Sequence, residues 1–147
     1  MKEATVSLAL IALGCGLAQL HAASQIYHPV VRVSSDDGLV YTAVQNPTHD
    51  RQACGAANDR FLRPLRERCK QCAVMFARCV RKLHGLEAAL HDDVPLPHHR
   101  VLAAGIRIAI VGSPRSAKTH CEFIAHDMVR RGLGAAACVY PAVPPVS

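Results

Sequence analysis

The chain has 147 residues, half of them hydrophobic but only 4% aromatic, with no Trp and a formal net charge of +6. That hydrophobicity excludes a wholly disordered chain, and the length allows one domain with a core of Val, Leu, Ile, Ala and Cys. The shortage of aromatic stacking platforms disfavours nucleic acid as a partner of the positive charge.

Lys2 supplies a short positive region, weakened by Glu3, and Val6 to Leu20 then runs without a charge to the small residues Ala22, Ala23 and Ser24. This is the layout of a secretory signal peptide over 1–22, cleaved between Ala22 and Ala23. Cleavage would leave a single domain, 23–147, in the periplasm or outside the cell. Three rivals compete with that reading. Ala12-Leu13-Gly14-Cys15 resembles a lipoprotein signal that would lipidate Cys15, but Leu13 stands one place late and the apolar run continues past the cysteine. An uncleaved anchor would be short, at about 15 uncharged residues against the ~20 a bilayer span needs. A buried segment of a cytosolic domain is the third. A membrane association is expected only with a lipidated Cys15 or an uncleaved signal.

Next come two β-rich runs, 26–34 and 39–44, joined through Ser35-Asp36-Asp37-Gly38, whose Asp-Gly predicts a hairpin. Pro29 cannot donate to a ladder, which places the first strand at a sheet edge. Asn46-Pro47 then breaks the pattern. From Pro64, at a first-turn position, to Gly85, a natural stop, the residues Leu65, Cys69, Cys72, Phe76, Cys79 and Leu83 recur at spacings of three and four. That period predicts one long helix with an apolar face. A short helix over Leu86–Leu90 and a loop over 92–99 with Pro95 and Pro97 follow. Gly105 to Gly112 reads as a strand with Ile106, Ile108 and Ile110 on one face. Ser113 caps a helix with Pro114 at its first position and a stripe of Ala117, Cys121, Ile124 and Met128. Ala135–Tyr140 reads as another strand, giving a βαβ unit, and 141–147 is a loose Pro-rich tail. The fold class expected is α+β: a small mixed sheet of about four strands, two main helices on one face and disulfide reinforcement.

Six cysteines remain after the signal: Cys54, Cys69, Cys72, Cys79, Cys121 and Cys138. An even number in an exported domain predicts three disulfides, with 15 possible connectivities. On one helix Cys72 and Cys79 would stand about 10 Å apart, beyond a disulfide's reach. Cys79 would then pair with Cys54, Cys121 or Cys138, and the preferred arrangement bridges the long helix to the C-terminal unit.

Four further patterns bear on function. Cys69-Lys-Gln-Cys72 has the spacing of a thiol oxidoreductase motif, but it lies on the apolar stripe, away from a helix N-terminus that would lower a thiol pKa. His84, His91, His98 and His99 accompany the cysteines without a second ligand pair at zinc spacing, so no metal or other cofactor is expected. Gly112 to Thr119 approaches the phosphate-cradling G-x-x-x-x-G-K-[ST] pattern, with Ala117 where the second glycine should stand. Arg115 and Lys118 there could still attract an anion. Finally, Arg63, Arg66, Arg68, Lys70, Arg78, Arg81 and Lys82 crowd the long helix against Glu67 alone, a net of +6. No hydrolase constellation appears. The composite expectation is a non-enzymatic, exported accessory protein that binds an anionic polysaccharide, lipid headgroup or acidic protein. Its alternatives are redox chemistry at Cys69/Cys72 and phosphate or nucleotide binding at Gly112–Thr119.

Overall fold

The Asp-Gly turn forms as the residue types predict. In the computed structural model, which describes residues 25–142, Gly38 adopts φ +80° and the Ser35 amide donates to the Leu39 carbonyl at 2.9 Å. This turn joins β1 (His28–Ser34) to β2 (Val40–Gln45) in register Ser34↔Val40 to Val30↔Val44. Residues 1–24, with the segment read as a signal, and residues 143–147, most of the tail read as loose, lie outside the described residues.

Seven further elements follow: α1 (Arg51–Arg68), β3 (Ala73–Val80), α2 (Gly85–His91), β4 (His99–Ala103), β5 (Ile106–Val111), α3 (Pro114–Arg130) and β6 (Ala136–Val139). The strands form one sheet in the order β3-β1-β2-β5-β4-β6. The fold is therefore α+β as expected, with six strands in place of about four. The sheet is not mixed, because each neighbouring pair runs antiparallel. The β5-α3-β6 unit forms, but β4 inserts between its two strands and is antiparallel to both, so β5 and β6 are parallel without touching. Pro29 is not at an edge: β1 lies between β3 and β2. The proline is accommodated because the β1–β2 ladder begins only at Val30, so its missing N–H leaves no rung empty on that side.

The largest departure falls on 64–85. Helix α1 starts thirteen residues before Pro64 and ends at Arg68, capped by Cys69, while 73–80 is the edge strand β3. Asp50 caps α1, its carboxylate accepting from the Ala53 amide at 2.6 Å. The early turns bury Cys54, Ala57 and Asn58, small or polar residues that carry little hydrophobic signal. Gly85 does not stop a helix; it opens α2 at φ +53°.

Two cores result. Helices α1 and α3 cover one sheet face, where Leu62, Ala117 and Cys121 meet Val31, Val33, Ile108 and Ile110. On the other face α2 sets Leu90 against Val30, Val44 and Ala109. Adjacent Val30 and Val31 thus enter opposite cores, as the two-residue period of a strand requires. Each such fully buried aliphatic contributes roughly 1.5–3 kcal/mol.

All six described cysteines pair. Cys54–Cys79 ties α1 to β3, Cys69–Cys72 closes the turn between them, and Cys121–Cys138 ties α3 to β6. Cys79 has chosen one of its three foreseen partners. The bridge expected between the long helix and the C-terminal unit does not exist: once 73–80 is a strand, Cys79 faces Cys54 on its own overlying helix.

Candidate functional site

The cations that the sequence pattern places on one helix are distributed over α1, the turn after it and the stretch of β3 with its following residues. Arg63, Arg66 and Arg68 lie in the last turns of α1, Lys70 in the disulfide-closed turn, Arg78 in β3, and Arg81 and Lys82 just beyond it. These cations therefore do not share one helix; they line a basic edge formed by α1, the turn and β3. Between 51 and 82 there are nine Arg and Lys against Asp59 and Glu67, a net of +7 that exceeds the +6 of the whole chain. Arg51 and Arg60 belong to this set and were overlooked in the sequence. A charge count blind to secondary structure would have found them.

Ion pairing is sparse there. Among the described residues Arg68 reaches Asp127 of α3 at 3.8 Å and Arg78 reaches Glu87 of α2 at 2.6 Å. Arg51, Arg60, Arg63, Arg66, Lys70, Arg81 and Lys82 have no carboxylate within 4 Å among the described residues. Elsewhere acids and bases balance: Asp127 also gathers Arg130 and Arg131, and Asp93 holds Arg107 at 2.8 Å. That guanidinium, by hydrogen bonding, holds the Asp93 carboxyl below its ordinary range.

The edge is braced from beneath. Buried Asn58 accepts from the Gln45 amide of β2 and donates to the Arg78 carbonyl of β3, both at 3.1 Å, stitching α1 across the sheet. The Cys54–Cys79 bridge lies beside it. Between α1 and β3 runs an open groove of about 380 Å³, with Arg51, Gly55 and Asp59 on one side and Ala77 to Cys79 on the other. On the opposite face Phe76 lies beneath the guanidinia of Arg78 and Arg32, 4.4 and 5.1 Å from its centroid. At the far end of β3 a second groove of about 250 Å³ is lined by His28, Arg81, Lys82 and His91. Burial, with the neighbouring His91, pushes His28 below its ordinary pKa.

Arg115 and Lys118 stand apart from this edge, on α3. Ser113 accepts from the Ser116 amide at 3.3 Å, so the helix start is capped from within the chain. Lys118 lies 5.7 Å from the Tyr140 ring. Gly112 has a packing role: at φ +151° a Cβ would come 2.5 Å from Leu39 Cδ2. The Cys69–Cys72 pair sits at the C-terminal end of α1, where the helix dipole disfavours a thiolate. Of the histidines, His91 meets His28 edge-on at 4.9 Å and buried His99 meets Tyr140 at 5.6 Å. No group of three potential ligands gathers among the described residues.

This architecture defines the class: an α+β domain with three disulfides, a six-stranded antiparallel sheet and a cationic edge. No protein-family model, curated protein or solved structure matches the chain. The three disulfides point to an oxidising compartment and are compatible with an exported protein. No described helix is long and apolar enough to cross a membrane.

Proposed function

We propose that the protein is an exported, non-enzymatic binding protein that holds an anionic partner against the α1–β3 edge. The observation that carries this reading is a cluster of seven cations with no carboxylate within 4 Å among the described residues, concentrated on one edge of a protein that elsewhere balances its charges. Such a field raises the local concentration and encounter rate of a polyanion, and salt screens it. Acidic polysaccharide, anionic lipid headgroup and acidic protein share the required chemistry. Export rests on the signal-like segment 1–22 together with the disulfides, and predicts a mature chain beginning near Ala23.

The test measures retention of the disulfide-bonded protein on sulfated dextran, phosphatidylglycerol vesicles and poly-L-glutamate as salt is raised. Arg63→Glu with Arg66→Glu should weaken binding to at least one of these, while Arg115→Glu with Lys118→Glu should not. The reverse pattern would move the site to the start of α3. Salt-independent binding, or none, would overturn the proposal.

A further inference from the structure

The outer edge of β3 is open. The strand ends the sheet, and no other described strand pairs with its free side. It runs Ala-Val-Met-Phe-Ala-Arg-Cys-Val, with Val74 38% and Met75 56% exposed and Ala73 and Ala77 also at the surface. An exposed apolar edge presents a row of backbone donors and acceptors, a hazard that proteins ordinarily blunt. The opposite edge is blunted: β6 has four residues and is followed within two by Pro141. In β3 the register skips Met75, leaving Phe76 to Val80 paired without interruption to His28–Arg32. Five regular residues, braced by Cys54–Cys79 and Asn58, keep their free side toward solvent.

Charge decides what would add there. Lys70 stands before β3, Arg81 and Lys82 after it, and Arg51 lines the groove along its flank. By the helical period Arg66 falls on the same side of α1 as Arg51 and Gly55. A second copy of the chain would bring an equal segment of +7 against the first, whereas an acidic strand would meet opposite charge on each of these sides. Asp59 is the acidic residue of the groove.

We infer that β3 is a docking edge for an extended acidic peptide segment, which adds as a seventh strand and sets its carboxylates against Arg51, Arg66, Arg81 and Lys82. This rests on the anionic-partner reading and specifies its chemistry: backbone hydrogen bonds supply the hold and the flanking cations supply selectivity. A saccharide or lipid headgroup has no strand to add.

The probe is a synthetic peptide of about ten residues, alternating valine and glutamate, long enough to match β3. Its binding to the disulfide-bonded protein is compared with poly-L-glutamate of equal charge, with a fully backbone N-methylated analogue and with sulfated dextran. Hydrogen exchange of the β3 amides is followed alongside. The inference expects the peptide to bind roughly tenfold or more tighter than poly-L-glutamate and its methylated analogue, with slowed exchange confined to β3. Equal binding of all polyanions without β3 protection would overturn strand addition and leave the anionic-partner reading standing. Failure of every polyanion to bind would overturn both. A dimer with protected β3 amides and no peptide would assign the edge to a second copy instead.

Discussion

Removing the Cys54–Cys79 bridge should be the most damaging disulfide loss in this chain. The bridge closes 25 residues, against 17 for Cys121–Cys138 and 3 for Cys69–Cys72. The loop-closure entropy of the unfolded chain then gives about 3.5 kcal/mol for the first, about 3 for the second and under about 2 for the third. Cys54 is fully buried, so Cys54→Ala with Cys79→Ala also leaves a small void, worth up to about 1 kcal/mol more. Losing roughly 4 kcal/mol consumes much of the 5–15 kcal/mol that a domain of this size holds. The assay is urea unfolding of the three double-alanine variants without reductant. The midpoint should fall most for the 54/79 pair and least for 69/72, and the m-value should rise as the unlinked chain exposes more surface. If the 69/72 variant lost as much stability as the 54/79 variant, the assignment of their contributions to loop length would be wrong. If neither changed, the pairing itself would be wrong.

Asn58→Ala deprives both the Gln45 amide and the Arg78 carbonyl of their buried partner; thermal unfolding should register a loss of about 1–3 kcal/mol. Gly112→Ala puts a Cβ against Leu39 at a backbone angle that disfavours side chains, and the same measurement should show about 1–3 kcal/mol lost. Unchanged stability would contradict both the positive φ at Gly112 and its close approach to Leu39. Stability should also fall in mild acid. Burial is the first cause lowering the pKa of both His28 and His99 beneath the ordinary 6.5. The unfolded chain therefore takes up protons first, and folding weakens as pH drops from 6.5 toward the folded values. Urea midpoints at pH 7.5 and 5 should differ less in His28→Asn/His99→Asn than in the native chain. Asp93 behaves similarly at lower pH: its depressed pKa favours the fold above 3.8, and that contribution disappears as pH falls through the folded value. Asp93→Asn should flatten that part of the acid profile, and an unaltered profile would remove the Arg107 pairing from the account.

What could be read in advance depended on how each segment is buried. The hairpin, β5 and α3 carried both a period and a punctuation mark: Asp-Gly, alternating isoleucines, Ser-Pro before a stripe. Their burial follows that pattern, with Ile108, Ile110, Ala117 and Cys121 inside. Strand β4 carried neither, because it buries His99 and Arg100 among its apolar residues; the Arg100 guanidinium survives there by donating to the Val94 carbonyl at 3.1 Å. Ala104-Gly105 forms the two-residue link to β5, with Gly105 at φ +80°, a signal visible only once β4 is suspected.

The misreading of 65–83 is the most informative, and it bears directly on the site. Leu65, Cys69, Cys72, Phe76 and Cys79 do recur at helical spacing, but the constraint behind the cysteines is covalent, not a shared face. Cys69 and Cys72 join each other across a turn and Cys79 reaches back to Cys54. A disulfide partner can fix a residue's position anywhere in the chain, so cysteines should carry less weight than Leu or Phe in a periodicity count. Strand β3 offers no compensating alternation, because an edge strand with Val74, Met75 and Ala77 exposed lacks the buried-in, polar-out rhythm of an interior strand. The feature that hid this strand, its place at the end of the sheet, is the one that leaves its outer side unpaired by any other described strand. The excess of charge read over 63–82 persists despite the error because a count of residues does not depend on whether the backbone is helical or extended. The cationic edge was therefore legible in the sequence, while the strand that gives it shape required the fold.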